Sequence, residues 1–538
     1  MSWHLADMFD AIARLVPDRL ALIEGRTRRT WKDYEDRSAR LATALKAIGI
    51  EPDSKVAIYG LNSIEFLEAQ YAIFKARSVP INVNYRYIED ELAYLLHNSD
   101  AEAVFFDAHF GPRLAQIRNR LPSVKTFIRI DDCSGESLNG ALDFETLIAT
   151  HAPLPALNYD ENDIYIVYTG GTTGMPKGVM YRHCDSAPGI AAWRLGADVE
   201  PTPEALLEMV EQMAAENRNP IVLPACPLMH GTGMWLGAIS THLFGGTVAL
   251  MRKEKFDPHE MLDFTAREGI SGLVIVGDAF ARPLLAALRD AKASGRPYDL
   301  PALKFIYSSG AMFSSETKLG LLEFADVEIV DAMSSSEGGM GGSVLSRSTP
   351  PSETARFTFN STTKVFDEND EEVKPGSGVI GMIANGGTVP VGYYKDPEKS
   401  AKTFRTIRGK RYAFPGDFAQ VAEDGSLILL GRGSACINTG GEKVFPEEVE
   451  EVLKAHESVW DALVVGVPDD RFGEQVVAVV AATAGYQIDE IALKTFAANR
   501  LAGYKLPRRF VIKEKIQRAA NGKADYQWAK ATAQAEVL

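Results

Sequence analysis

The chain has 538 residues, too many for one ordinary core at roughly 100 to 200 residues per domain, so several subdomains are expected. A hydrophobic share of 46% beside 24% charged residues suits a globular protein. A net charge of −15 with no basic patch excludes general nucleic-acid binding, because a phosphate backbone would be repelled.

Taken in order, residues 41–48 and 64–76 carry apolar residues at helical spacing, with a short apolar strand at 56–59 between them. Strands are expected at 79–83, 103–106 and 127–130, and helices at 91–97 and 112–121, an alternation that predicts βαβ units and a parallel sheet covered by helices. A second series of strands at 164–168, 221–223, 247–251, 272–276, 304–307 and 328–330 predicts a second α/β layer system. Residues 334–342, rich in Ser and Gly, read as an active-site loop. Beyond Pro350, short strands with glycine-rich turns at 376–381 and 385–387 predict a smaller β subdomain. From Gly431 the chain passes through Gly433-Ser434-Ala435 into a compact unit with a helix at 446–456 and a strand at 462–467. The fold class is therefore α/β: a large N-terminal domain of two α/β subdomains plus a β subdomain (1–431), a junction (432–434) and a small C-terminal α/β domain (435–538).

Cys133, Cys184, Cys226 and Cys436 lack C-x-x-C spacing and read as reduced thiols. No segment approaches the ~20 apolar residues of a membrane helix, and Asp7 and Asp10 within an amphipathic pattern argue against a signal peptide. A soluble cytoplasmic protein is expected, with peripheral membrane contact through a surface helix left open.

The most informative run is Tyr168-Thr169-Gly170-Gly171-Thr172-Thr173-Gly174-Met175-Pro176-Lys177-Gly178. Its glycines let backbone amides approach a ligand closely, its threonines add hydroxyl donors, and Lys177 adds a positive charge for outer phosphates. It is not a Walker P-loop, since no Gly-Lys-Ser/Thr follows the spacer. The plain alternative is a Gly/Thr-rich turn between strands.

This run resembles the phosphate-binding signature of the adenylate-forming superfamily, which includes acyl-CoA synthetases, luciferases and peptide-synthetase adenylation domains. The resemblance spans about residues 41–523, and its closest look is to actinobacterial ligases for fatty acids and steroid side chains. It implies that Thr169, Gly170, Gly171, Thr172, Thr173, Gly174 and Lys177 bind the ATP phosphates. Ser336 and Glu337 match the family's Thr-Glu pair, which makes Glu337, with hydroxyl help from Thr172, the expected Mg²⁺ ligand. Gly310 and Ala311 match the segment lying against the purine, and Asp331 stands where relatives contact adenine. Met333 and Ser334 replace a usual Tyr-Gly; with His230, Met234 and Trp235 they are expected to line the acyl pocket, His230 near the substrate carboxylate. Asp417 matches the aspartate that takes both ribose hydroxyls, and Arg432 would hold ribose and phosphate. Lys523, after Ala520-Asn521-Gly522, occupies the catalytic position, where its charge would meet negative charge developing at the α-phosphorus.

By the same resemblance the C-terminal domain rotates about a hinge at Ser434, bringing Gly440, Gly441 and Glu442 to the CoA tunnel. The reaction implied is acyl-CoA ligation: a carboxylic acid and Mg²⁺-bound ATP give acyl-AMP and pyrophosphate, then CoA displaces AMP. The acid is expected to be medium- or long-chain, or bulky and ring-bearing. Alternatives are loading of a carrier protein, luciferase-like oxidation of the adenylate, an aryl-acid CoA ligase, and an inactive binding paralogue. Beyond these small molecules, a homodimer is the assembly to test.

Overall fold

A computed structural model describes residues 1–155, 157–171, 174–195, 200–349, 356–439, 442–469, 473–518 and 523–537. Three sheets organise it. The first has eight strands. Its parallel part runs Ile164–Gly171, Val79–Asn82, Lys55–Tyr59, Ala101–Asp107, Thr126–Ile130 and Leu142–Asp143, and the antiparallel strands Gly174–Arg182 and Gly392–Tyr393 extend the Ile164 edge. Val56, Ala57, Ile58, Val104, Phe105 and Phe106 are fully buried, the near-continuous apolar pattern of strands covered on both faces.

The helix Ile64–Lys75 lies between this sheet and the second, and for that reason nearly every side of it is buried, unlike a surface helix with one apolar stripe. Its start is set by Ser63, whose hydroxyl accepts from the Phe66 amide at 3.1 Å. Its last residue, Lys75, is buried and tolerable there because its ammonium bonds Asp10 Oδ1 at 2.6 Å and Glu35 Oε1 at 2.7 Å.

The second sheet has fifteen strands. Its parallel half runs Leu20–Glu24, Thr247–Leu250, Ile221–Pro224, Gly272–Ile275, Phe305–Ser309 and Glu328–Ser335. The β-rich part expected after Pro350 is present, but it is joined edge-on to this half. Gly338–Leu345 pairs Arg356–Phe359, which pairs Leu427–Arg432 and then Asp417–Val421. Residues 334–342, expected as a loop, are instead the turn end of an antiparallel hairpin of Glu328–Ser335 with Gly338–Leu345. Small residues read as a loop by composition, yet they pair well where a neighbouring strand supplies the partner groups.

The third sheet, of five strands, is built only from residues beyond Cys436. In its long hairpin, Val459–Asp469 with Gly473–Ala482, alternate residues serve opposite faces. Val464, Val476 and Ala478 pack under the helices Pro446–Lys454 and Glu490–Ala498, whereas Leu463, Val465, Val477 and Val479 pack under Tyr526–Val537. No two of the four cysteines are joined in a disulfide, and among the described residues no helix is long and apolar enough to cross a membrane.

Candidate active site

Parallel α/β sheets bind ligands in crevices at the carboxyl ends of their strands, and there the expected residues gather. The segment leading to His230 leaves the strand Ile221–Pro224 and is fastened by two asparagines, one just after the strand Lys55–Tyr59 and one ending Val79–Asn82. Asn62 donates to Cys226 O at 3.0 Å and accepts from Leu228 N at 2.7 Å. Asn82 donates to Tyr168 O at 2.9 Å and to Met229 O at 2.5 Å, and accepts from Tyr168 N at 2.7 Å. The start of the phosphate hairpin is thereby tied to the residue before His230. A single π-helical stretch, Thr232–Ile239, follows, a geometry that proteins use mostly at functional sites.

The pKa of His230 is pushed down to about 3, first by burial and then by the positive charges of Lys523 and Arg86. Its imidazole is therefore neutral near pH 7 and meets a substrate as a dipole rather than a cation. Its Nε2 is buried and has no hydrogen-bond partner among the described residues. A narrow cavity beside it is lined by Gln70, Tyr165, Val167, Leu228 and Met234. Trp235 stands edge-on to Tyr165 and Tyr181, with ring centroids at 6.3 and 5.4 Å.

The run Thr169 to Lys177 is the tip of the hairpin Ile164–Gly171 with Gly174–Arg182, in which Thr169 is the register partner of Lys177 and Gly171 of Gly174. The turn alternative and the phosphate reading thus describe one object. Thr172 and Thr173 lie outside the described residues. Across from the hairpin, Ser336 and Glu337 occupy the turn of the 328–345 hairpin. The Tyr181 hydroxyl donates to Ser336 O at 2.9 Å, and the Tyr393 hydroxyl donates to Glu337 Oε1 at 2.6 Å. Lys177 Nζ lies 5.8 Å from the centroid of the same Tyr393 ring. One tyrosine therefore links the cationic and the acidic residue of the site. Tyr393 lies 56 residues beyond Glu337, and no spacing signal in the sequence joins them.

Gly310 closes the other side. It follows the strand Phe305–Ser309 with φ +92°, a conformation that suits glycine, and a Cβ placed there would sit 3.5 Å from Lys523 Cε and 3.6 Å from Thr232 Oγ1. The small C-terminal unit is thus docked with its lysine side chain crossing Gly310. Ser309 and Ser334 share a hydroxyl hydrogen bond of 2.7 Å across neighbouring strands. Asp331 is buried and its carboxylate pairs with Lys318 Nζ at 2.7 Å; burial, the largest influence, raises its pKa against the pull of that ammonium. Its side chain is thus committed inside the fold. Met333 faces away from Ser334 and packs with Met340, Phe357 and Ile383 in the β-rich core, which takes it out of the expected acyl lining.

Asp417 is buried at the start of Asp417–Val421, and its partner across the ladder is Arg432. The side chains of Arg432, Ser434 and Glu442 are outside the described set, as are Gly440 and Gly441. The backbone runs from Leu427–Arg432 through a single turn, Gly433–Ala435, to the first strand of the third sheet, Ile437–Thr439.

Comparison with known proteins agrees with this arrangement. Residues 9–394 match the AMP-binding enzyme family, and residues 448–523 match the AMP-binding enzyme C-terminal domain. A 3-oxocholest-4-en-26-oate--CoA ligase from Rhodococcus rhodochrous is 41% identical over 540 residues, covering 98% of this chain and 96% of the relative. A medium/long-chain-fatty-acid--CoA/3-oxocholest-4-en-26-oate--CoA ligase of Mycobacterium tuberculosis is 41% identical over 537 residues, covering 98% and 95%. The crystal structure of the anthranilate CoA ligase AuaEII with anthranoyl-AMP superposes with a TM-score of 0.82 over 99% of this chain and 98% of that one, at 20% identity, a likeness of fold. With both parts of the chain matched and its hairpin, Gly310 and Lys523 gathered at one crevice, the protein belongs to the AMP-binding enzyme family.

Proposed function

We propose that the protein is an AMP-forming acid–thiol ligase that activates a medium- or long-chain, or bulky ring-bearing, carboxylic acid and transfers it to CoA. The observation that supports this most directly is the contact of Lys523 with Gly310 at the mouth of the His230 segment, because an adenylating site needs one mobile cation between nucleotide and carboxylate.

In the first step a substrate carboxylate oxygen attacks the α-phosphorus of ATP, the bond to the β-phosphate oxygen breaks, and pyrophosphate leaves. The hairpin tip with Lys177 holds the departing phosphates, Asp417 takes the ribose hydroxyls, and Lys523 faces the negative charge that grows on the reacting oxygens. Neutral His230 orients the carboxylate without trapping it as an ion pair. Glu337 is the residue that would hold Mg²⁺, the carboxylate set in place by Tyr393. The Tyr393 hydroxyl bonds that carboxylate at 2.6 Å, and carboxylate oxygen is the ligand a hard cation takes. Bound there, the cation would neutralise phosphate charge.

In the second step the CoA sulfur attacks the acyl carbonyl, the acyl–phosphate oxygen bond breaks, AMP leaves and the thiol proton passes to solvent. The C-terminal unit, from about residue 435, would turn about the 432–434 junction at Ser434 to withdraw Lys523 and present Gly440, Gly441 and Glu442 to the CoA arm. The names of the relatives support both the thiol and the acid class, and apolar Val167, Leu228 and Met234 beside His230 suit a hydrocarbon chain.

Acid-dependent pyrophosphate release should be measured from acetate through hexadecanoate to a steroid side-chain acid, with and without CoA, following AMP and thioester. Turnover is expected to peak among the longer or bulkier acids and to yield thioester only with CoA. A peak at acetate would refute the acid class, and adenylate formation with no thioester would refute CoA as acceptor.

A further inference from the structure

Lys523 reaches Gly310 only because the C-terminal unit is docked in one orientation, and a side chain outside the reacting groups holds that dock. Arg282, in the helix Gly277–Ala293 of the large domain, has its guanidinium 13% exposed. It donates to Trp460 O and, at 3.2 Å, to Lys454 O. Lys454 ends the helix Pro446–Lys454, so Arg282 places a cation and a donor on a helix carboxyl terminus, where carbonyls lack partners and the dipole is negative. It caps a helix of the mobile unit from across the interface.

Each end of this contact continues into the site. On the large domain, Asp278 Oδ2 lies 3.2 Å from Arg282 Nε. Asp278 Oδ1 accepts from both the amide and the hydroxyl of Ser314 at 3.1 Å, and the Asp278 amide donates to Met312 O at 2.9 Å. The preceding Gly277, at φ +50°, allows the approach, since a Cβ there would sit 2.1 Å from Met312 O. Asp278 therefore ties Arg282 to the segment that begins at Gly310. On the mobile unit, Asp461 follows Trp460 and takes Arg518 in a two-pronged pair, at 2.7 and 2.6 Å. Arg518 is bridged to Ala524, the residue that follows Lys523.

We propose that Arg282, oriented by Asp278, is a positioning residue for adenylation: it docks the C-terminal unit so that Lys523 lies over Gly310, and it must release that unit for thioester formation. This rests on the two-step reading above. The contact spans the interface that the second step breaks, so its loss should slow one half-reaction and spare the other.

The test uses the full-length enzyme with dodecanoate. Adenylation is read as acid-dependent ATP–pyrophosphate exchange, and transfer as dodecanoyl-CoA formed from synthetic dodecanoyl-adenylate and CoA. Arg282→Ala is expected to lower exchange kcat by about 5- to 100-fold, the range of ordinary coupling energies, while transfer stays within about twofold. Arg282→Lys, which keeps the charge but not the fork, should fall between. Exposed Arg289→Ala on the same helix should match the parent. Equal loss in both half-reactions, or unchanged exchange, overturns the proposal. Should Arg282→Ala not fold, Asp278→Asn, which keeps the Ser314 acceptor and weakens only the hold on Arg282, must show the same split. Absence of exchange in the unmutated enzyme across the acid panel overturns the functional reading, and this inference with it.

Discussion

The hydroxyl of Tyr393 donates to Glu337 Oε1 at 2.6 Å while Lys177 stands over the same ring. Tyr393 pairs Val179 in the second strand of the glycine–threonine hairpin, so the contact sets the distance between that hairpin and the turn carrying Glu337. Removing the hydroxyl leaves the carboxylate unaimed. Tyr393→Phe should raise the KM for Mg²⁺-bound ATP about tenfold, the worth of one hydrogen bond to a charged group. Glu337→Gln should cost about 10²-fold in kcat for pyrophosphate release. Steady-state kinetics at saturating acid checks both. A Tyr393→Phe enzyme with parental KM would remove Tyr393 from the site.

Lys523→Ala should lower adenylation by about 10² to 10³ while leaving transfer from supplied acyl-adenylate largely intact. Gly310→Ala is the companion variant. Its methyl would only touch Lys523 Cε at 3.5 Å, but the backbone at φ +92° strains any side chain, so stability should drop by about 1–2 kcal/mol and adenylation should fall as the segment shifts to relieve it. Retention of full exchange by Lys523→Ala would reassign that lysine.

The buried pair Lys318–Asp331 predicts a stability effect. Asp331→Ala strands an ammonium that is 7% exposed, and breaking such a pair costs about 3 kcal/mol. Urea unfolding should show the loss directly. A variant within about 0.5 kcal/mol of the parent, but with a raised KM for ATP, would instead make Asp331 a nucleotide contact.

His242 is buried against Ala21 O, and burial, outweighing that hydrogen bond, pushes its pKa from 6.5 down to about 4. The folded state holds the neutral ring. The unfolded state takes a proton as soon as pH falls below 6.5. The stability His242 contributes is therefore fully present above pH 6.5 and is lost as pH falls toward 4, by about 3 kcal/mol in all. The advantage of the parent over His242→Asn should shrink by that amount between pH 7 and pH 4 in urea titrations. A pH-independent difference would mean that the ring titrates alike in the folded and unfolded protein.

Much of the site was legible because local chemistry announces itself. The glycine–threonine run, Asp417 and Lys523 stood out by composition and order, and the structure brings Lys523 beside Gly310. Asn62, Asn82, Thr232 and Tyr393 were not legible. Each is an ordinary polar residue whose use depends on what another sheet brings against it. Met333 misled for the related reason that its neighbours read as a loop, whereas on a paired strand it faces the opposite side from Ser334.

By itself the amino-acid order determined the two α/β layers, the β-rich continuation, the separate C-terminal unit and the glycine–threonine hairpin proposed to hold phosphate, because apolar period, glycine placement and charge act over a few residues at a time. Only the tertiary structure decided that Tyr393 bonds Glu337, that burial and the charge of Lys523 depress the pKa of His230, and that Arg282 reaches across to the carbonyls of Trp460 and Lys454. Those depend on distances between segments far apart in the chain, and on the low-dielectric surroundings that packing creates around them.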